Sequence, residues 1–232
     1  RHVAVMNGLR RTGSDSKWPM QEAVLRKWFM RPLKGEMNKG LREGLANESH
    51  VLWVLQEWFA GVDQSHQEES LEVLEVRTVG LVESKSRPRL GSSVDALIKV
   101  KLTCNRTGTN RTQLACVEIK TKTSLSTKTV QRDKLTKGIV KPSEWVSVVL
   151  EDPESAVNLR RCVDVADHRG KCLHHSTITG QPLTVYVVAS WRKILRTVVV
   201  DFKAHVRDCH ANLMVATWKE FFTPFEVVSG LA

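Results

Sequence analysis

VDALIKVKLTCNRTGTNRTQLACVEIKTK, residues 94–122, alternates apolar and polar side chains on either side of a turn-rich centre. In 94–102 one strand face carries Val94, Ala96, Ile98, Val100 and Leu102, and the other carries Asp95, Leu97, Lys99 and Lys101. Residues 113–122 repeat the pattern, with Cys116, Glu118, Lys120 and Lys122 opposing Val117, Ile119 and Thr121. The stretch between, 105–110, is built of Asn, Arg, Thr and Gly and predicts a hairpin turn. If residues 105–108 close the hairpin, Cys104 faces Thr109 and paired positions sum to 213, so Asp95 stands opposite Glu118. Cβ atoms of such a pair are about 4.5–5.5 Å apart, and two carboxylates so placed repel unless a cation lies between them. Lys120 projects to the same face.

Outward from the hairpin, 41–59 reads as a helix whose apolar stripe runs through Leu45, Val51, Leu52, Leu55, Trp58 and Phe59. Glu48 falls on that stripe and Glu57 does not, which aims the Glu48 carboxylate at the interior, where a partnerless acid is costly. Residues 21–30 form a short helical candidate stopped before Pro32. Strand-like alternation or β-forming runs occupy 71–82, 92–104, 143–150, 184–189 and 195–202. Weaker helical spacing covers 155–161 and 168–178, stronger spacing 203–222, and 123–141 is a basic loop or short helix. Helices, a β-meander, helix, two strands and a final helix predict one α/β domain.

The 232 residues carry 35 Lys and Arg against 25 Asp and Glu, a net charge of +10, and a sequence pI near 9.6. Eleven bases against two acids fall within 99–141, so almost all of the excess is local. Such a balance favours polyanionic partners. A run of this kind standing alone is a solvated face. Five widely spaced cysteines without a C-x-x-C pair argue against a disulfide framework or zinc ribbon and favour an intracellular reducing compartment, nucleus or cytoplasm. The group Cys162, His168, Cys172, His174 and His175 has no standard zinc spacing, and core or surface roles are expected of it. No apolar run approaches the ~20 residues of a membrane span. Nor is there a phosphate-binding glycine loop, a dinucleotide fingerprint or a Gly-x-Ser-x-Gly elbow.

Asp95, Glu118, Lys120 and Glu48 together form an oxygen-rich site with an ammonium, suited to Mg²⁺ or Mn²⁺ and to phosphodiester hydrolysis. Lys99, Lys101, Lys122 and Lys128 flank it as candidate ligands of backbone phosphates. The competing reading is a cross-strand polar cluster on a solvated sheet face, with Lys120 neutralising the acids.

Asp95 followed at hairpin distance by Val117-Glu118-Ile119-Lys120 resembles the D…E-x-K motif of the PD-(D/E)xK nuclease superfamily. Gly44-Leu45-Ala46-Asn47-Glu48-Ser49-His50-Val51 resembles the glycine-to-glutamate helix motif of the lambda-exonuclease and YqaJ-type viral recombinase family. The runs 185–188 and 198–201, and a long helix ending Trp218-Lys219-Glu220-Phe221-Phe222 before Pro224, are similar too. The resemblance covers about 41–224. It implies a restriction-endonuclease-like core with a central mixed sheet flanked by helices over 41–232, preceded by an N-terminal helical extension at 1–40. It further implies Mg²⁺- or Mn²⁺-dependent, 5′-to-3′ exonucleolytic cleavage of duplex DNA from an end, in recombination or repair, with an oligomer possible. Metal ligation would fall to Asp95, Glu118 and the main-chain carbonyl of Ile119, catalysis to Lys120, and a supporting acidic role to Glu48.

Two departures stand out. The family commonly carries a glutamine on the helix after the core hairpin, whereas His168-Arg169-Gly170-Lys171-Cys172-Leu173-His174-His175 has none, leaving Lys171 or the histidines to stand in. Ser93-Val94 replaces the proline before the metal aspartate. The first departure motivates a second expectation, a nucleic-acid-binding module on the same fold that has lost cleavage. A pure protein-interaction domain is the remaining reading. For Asp95, Glu118 and Lys120, replacement by Ala is expected to abolish cleavage with folding intact.

Overall fold

A computed structural model describes residues 39–87, 90–122, 145–151, 153–163, 166–190 and 193–221. The candidate helix at 21–30, nearly all of the 1–40 extension, the basic segment 123–141 with Lys128, and Phe222 and Pro224 lie outside the described residues, as does the side chain of Lys122.

Helix α1 (Lys39–Gly61) leads into strands β1 (Glu69–Thr78), β2 (Leu81–Glu83), β3 (Gly91–Ser93), β4 (Ala96–Cys104) and β5 (Asn110–Lys122). Then follow β6 (Trp145–Leu150), α2 (Pro153–Cys162), α3 (Ala166–Thr179), β7 (Leu183–Ser190), β8 (Lys193–Phe202) and α4 (Ala204–Phe221). Six strands form one sheet in the order β1-β4-β5-β7-β8-β6, and β2 pairs with β3 in a separate ribbon. The β5–β7 and β6–β8 pairings are parallel and the others in this sheet antiparallel, so the sheet is mixed. The α/β class expected from the sequence, a central mixed sheet flanked by helices, is the observed one.

The hairpin has the expected register. Ala96 pairs with Val117 and Thr103 with Asn110, and the Cys104 N–H donates to Thr109 O at 2.8 Å. Gly108, at φ +70°, supplies the left-handed turn residue that an L side chain would strain. Two runs that read as single strands are divided. Residues 71–82 split between β1 and β2, and 92–104 breaks at Val94–Asp95, so Asp95 sits at the junction of β3 and β4 rather than within a strand.

Helix α1 covers one sheet face. Val51, Leu52, Leu55 and Phe59 are buried against Ala96, Ile98, Val117, Ile119, Val185 and Val187, while Glu57 is exposed, as the stripe predicted. On the other face Leu159, Cys162 and Cys172 of α2 and α3 bury Tyr186, Val188, Val198 and Val200. With both faces covered, β7 is buried at every position from Leu183 to Ala189, which accounts for its unbroken run of β-forming side chains. Helix α4 packs on α3 through Ala211 and Met214 against Ile178.

The N-terminal half of α1 is tied to the sheet by Asn47, the ninth residue of the helix. Its buried amide donates to Thr121 Oγ1 at 3.1 Å and to Ser190 O at 3.2 Å, tying the helix to the ends of β5 and β7. Asn47→Ala would remove both hydrogen bonds from the half-buried Thr121 hydroxyl and Ser190 carbonyl, and a loss of about 1–2 kcal/mol in a urea titration is expected.

Candidate active site at the open end of the hairpin

Opposite the turn, the strand pairing ends at Ala96 and Val117, and just before it the Asp95 N–H donates to Val117 O at 3.2 Å. The Asp95 carboxylate then folds back on β5, its Oδ2 accepting the Ile119 N–H at 2.6 Å. This brings the Asp95 carboxylate near Glu118, from a bend just beyond the last strand pair rather than from the directly opposed strand position the sequence predicted. Burial and the neighbouring Glu118 charge raise the proton affinity of Asp95, against the Ile119 hydrogen bond and the charges of Lys171 and Lys120.

Glu118 is completely buried, because α3 lies over its face of the sheet. Three side chains of α3 at four-residue steps touch β5. Lys171 Nζ donates to Glu118 Oε1 and Oε2 at 2.8 and 3.0 Å, His175 Nε2 to Oε2 at 2.8 Å, and Thr179 Oγ1 lies 3.0 Å from Cys116 Sγ. Lys120 Nζ lies 2.5 Å from Oε1. Burial alone would raise the Glu118 carboxyl, yet the His175 hydrogen bond and the charges of Lys120 and Lys171 hold it well below the ordinary carboxylate range. Lys171 answers in kind: burial works against its charge, but Glu118 above all, then Asp95, keeps the ammonium more firmly protonated than usual. On its other side the His175 ring is held by Ser92, whose Oγ lies 2.6 Å from Nδ1.

Glu48 comes from the other side, on the turn of α1 that Asn47 anchors. Its half-buried carboxylate has a raised proton affinity, first through burial and then through Asp95, partly offset by Lys120. Hence Glu48, Asp95, Glu118 and Lys120 form one electrostatically coupled group, and a solvated sheet face is excluded by the cover of α3. Lys99 and Lys101 share the face of Asp95 but lie about 13 and 20 Å farther along β4 at ~3.3 Å per residue. Lys99 is exposed, and Lys101 pairs with Glu72 at 3.6 Å. They are remote from the cluster and can serve only an extended ligand.

Sequence reasoning left Lys171 and His175 as stand-ins for a missing glutamine and missed Ser92 altogether. The available signal was the spacing: Lys171 and His175 are four residues apart and share a helix face. The other members of the Cys–His group are dispersed. Cys162 and Cys172 are buried among apolar side chains, His168 Nδ1 lies 2.7 Å from Tyr186 Oη, and His174 meets Gly91 O and Met214 Sδ. All five cysteines are free. Among the described residues no helix is long and apolar enough to cross a membrane.

The donor set suits a hard divalent ion. Asp95 Oδ1 and the Glu48 carboxylate are part-buried and accept no hydrogen bond from the described residues, and three acids outnumber the two lysines by one charge. Among the described residues no three acid, histidine or cysteine side chains are grouped as a metal cage. Mg²⁺ needs no such cage, since it is commonly held by one or two carboxylates and retains several waters.

No family model matches the chain, and no curated protein does. Among solved structures it is similar to the crystal structure of an alkaline exonuclease from Laribacter hongkongensis, at 13% identity and a TM-score of 0.48, with 99% of this chain and 93% of that chain covered.

Proposed function

We propose that this chain is a divalent-metal-dependent deoxyribonuclease that hydrolyses phosphodiester bonds at the open end of the β4–β5 hairpin. The observation that carries the reading is the convergence there of Asp95, Glu118 and Glu48, from three separate elements, on the Lys120 ammonium. Buried and part-buried carboxylates under mutual repulsion are the arrangement expected of a cation site. Asp95, Glu118 and the Ile119 carbonyl would hold Mg²⁺ or Mn²⁺. Bound there, the ion supplies polarisation of a phosphoryl oxygen and acidification of water. Lys120, held at Glu118, presents its ammonium where charge builds on the phosphate, and Glu48 has a carboxylate oxygen open to a proton from the attacking water. That water's oxygen forms the new bond to phosphorus as the bond to the leaving sugar oxygen breaks. Duplex DNA with an end, degraded 5′ to 3′, is the substrate to which the helix and hairpin motifs point by their family resemblance. Exposed Lys99 and the basic residues after β5 would meet its backbone.

A second reading is favoured by one observation. Glu118 already accepts from two lysines and a histidine, as it would in a module that binds nucleic acid without cutting it.

Digestion of end-labelled linear and closed circular duplex DNA with Mg²⁺, Mn²⁺ or EDTA separates the two. The expected result is metal-dependent loss of the linear form, slowed at least about 100-fold in Lys120→Ala, which takes away a part-buried cation and leaves Glu118 paired to Lys171 and His175. Intact DNA under every metal, with salt-sensitive binding retained, would establish the binding module instead.

A further inference from the structure

The two oxygens of a carboxylate offer about four lone-pair directions. Those of Glu118 meet four contacts: Lys120 and Lys171 at Oε1, Lys171 and His175 at Oε2. An ion that takes Glu118 as a ligand must therefore displace one of them. His175 is fully buried and braced from behind by Ser92, so it is not free to leave. Lys120 is adjacent in the strand and engages one oxygen only. Lys171 straddles both oxygens, and with its side chain 32% exposed it has a path outward to solvent. Its position on α3, opposite the strand that supplies the other groups, lets it withdraw without disturbing β5.

We propose that Lys171 is a built-in counter-cation for Glu118, which a divalent ion must displace, so that this one side chain sets how tightly the site takes its metal. The inference rests on the cation site proposed above. With Lys171 in place the cluster is one charge short of neutral, so a single divalent ion suffices and a second meets net repulsion. The lysine thus substitutes for a second metal, and it keeps Glu118 charged and ordered when no ion is bound. Displaced, its ammonium stays within the mouth of the site, where a phosphate diester would meet it.

The test is direct binding of Mn²⁺, read from the free-ion electron paramagnetic resonance signal, to the whole chain without DNA. Wild type, Lys171→Gln, Lys171→Arg and Asp95→Asn would be compared, with circular dichroism spectra confirming that each is folded. Removing a unit charge this close to a ligand oxygen predicts binding at least about tenfold tighter in Lys171→Gln, while Lys171→Arg keeps the wild-type affinity and Asp95→Asn loses it. Equal affinity in wild type and Lys171→Gln, with binding still lost in Asp95→Asn, would overturn the role of Lys171 and leave the metal site standing. Tighter binding in both Lys171 variants would trace the effect to side-chain shape rather than charge and overturn it too. No Mn²⁺ binding by any of the four would remove the metal site itself, and the counter-cation with it.

Discussion

Glu118→Gln is expected to abolish metal-dependent cleavage and, in the absence of any metal, to lower the melting temperature by about 6–12 °C. The sequence alone led to a milder expectation for this position, loss of cleavage with folding intact. Complete burial changes it. Glutamine is isosteric and can still accept from His175, but it leaves the part-buried Lys120 and Lys171 without the one carboxylate that both contact. Breaking a buried pair by removing one partner costs about 3 kcal/mol or more, because the surviving charge is left unpaired. Acid should act on wild type in the same direction. The carboxyl is held well below its unfolded value, so its stabilising contribution is full above the ordinary glutamate range and is lost as pH falls towards the depressed folded value. Thermal melts of both proteins across pH, with EDTA present, check this. An unchanged melting temperature for Glu118→Gln would mean that the three donors do not depend on Glu118.

Asp95→Asn should abolish cleavage as completely, yet leave the metal-free protein as stable as wild type or more so. Asparagine can keep the hydrogen bond from the Ile119 N–H through its own oxygen. What it removes is a carboxylate disfavoured by burial and by Glu118. The sign is opposite to that of Glu118. The folded value of Asp95 lies above the unfolded one, so near neutral pH its charge opposes folding. Stability is regained as pH falls from the raised folded value to the ordinary aspartate range. Wild type should show that gain and Asp95→Asn should lack its share, the raised carboxyl of Glu48 supplying the remainder. Added Mg²⁺ should raise the melting temperature of wild type but not of Asp95→Asn, by the usual coupling of ligand binding to folding. An Asn variant that melts lower than Glu118→Gln would contradict the charge arrangement.

The contrast between these residues marks what could be read in advance. The nearness of Asp95 to Glu118 was legible because a hairpin is a local structure. Its turn residues set the loop length, and the loop length sets the register of everything beyond. The Glu48 stripe was legible for a similar reason, since helical spacing assigns a face within a few residues. The division of 71–82 and the break at Val94–Asp95 were not, because alternation continues through a bend when both halves are half-buried. Nor was the cover over Glu118. Helix α3 carries Lys171, His174 and His175 where a core-facing helix ordinarily carries aliphatic residues, so its inward face reads as surface. The cost of burying those groups is offset in large part by Glu118, Ser92 and Gly91 O, which lie 53 to 83 residues away.

That separation along the chain orders events in time as well as in space. Asp95 and Glu118 belong to a hairpin closed over a four-residue turn, the kind of contact a refolding chain makes first, whereas the parallel pairing of β5 with β7 must wait for the long crossover that includes β6, α2 and α3. Low sequence separation therefore favours the meeting of the two acids ahead of the arrival of Lys171 and His175. Until α3 arrives, the hairpin holds its like charges with Lys120 beside them, so the two acids work against the strand pairing that brings them together.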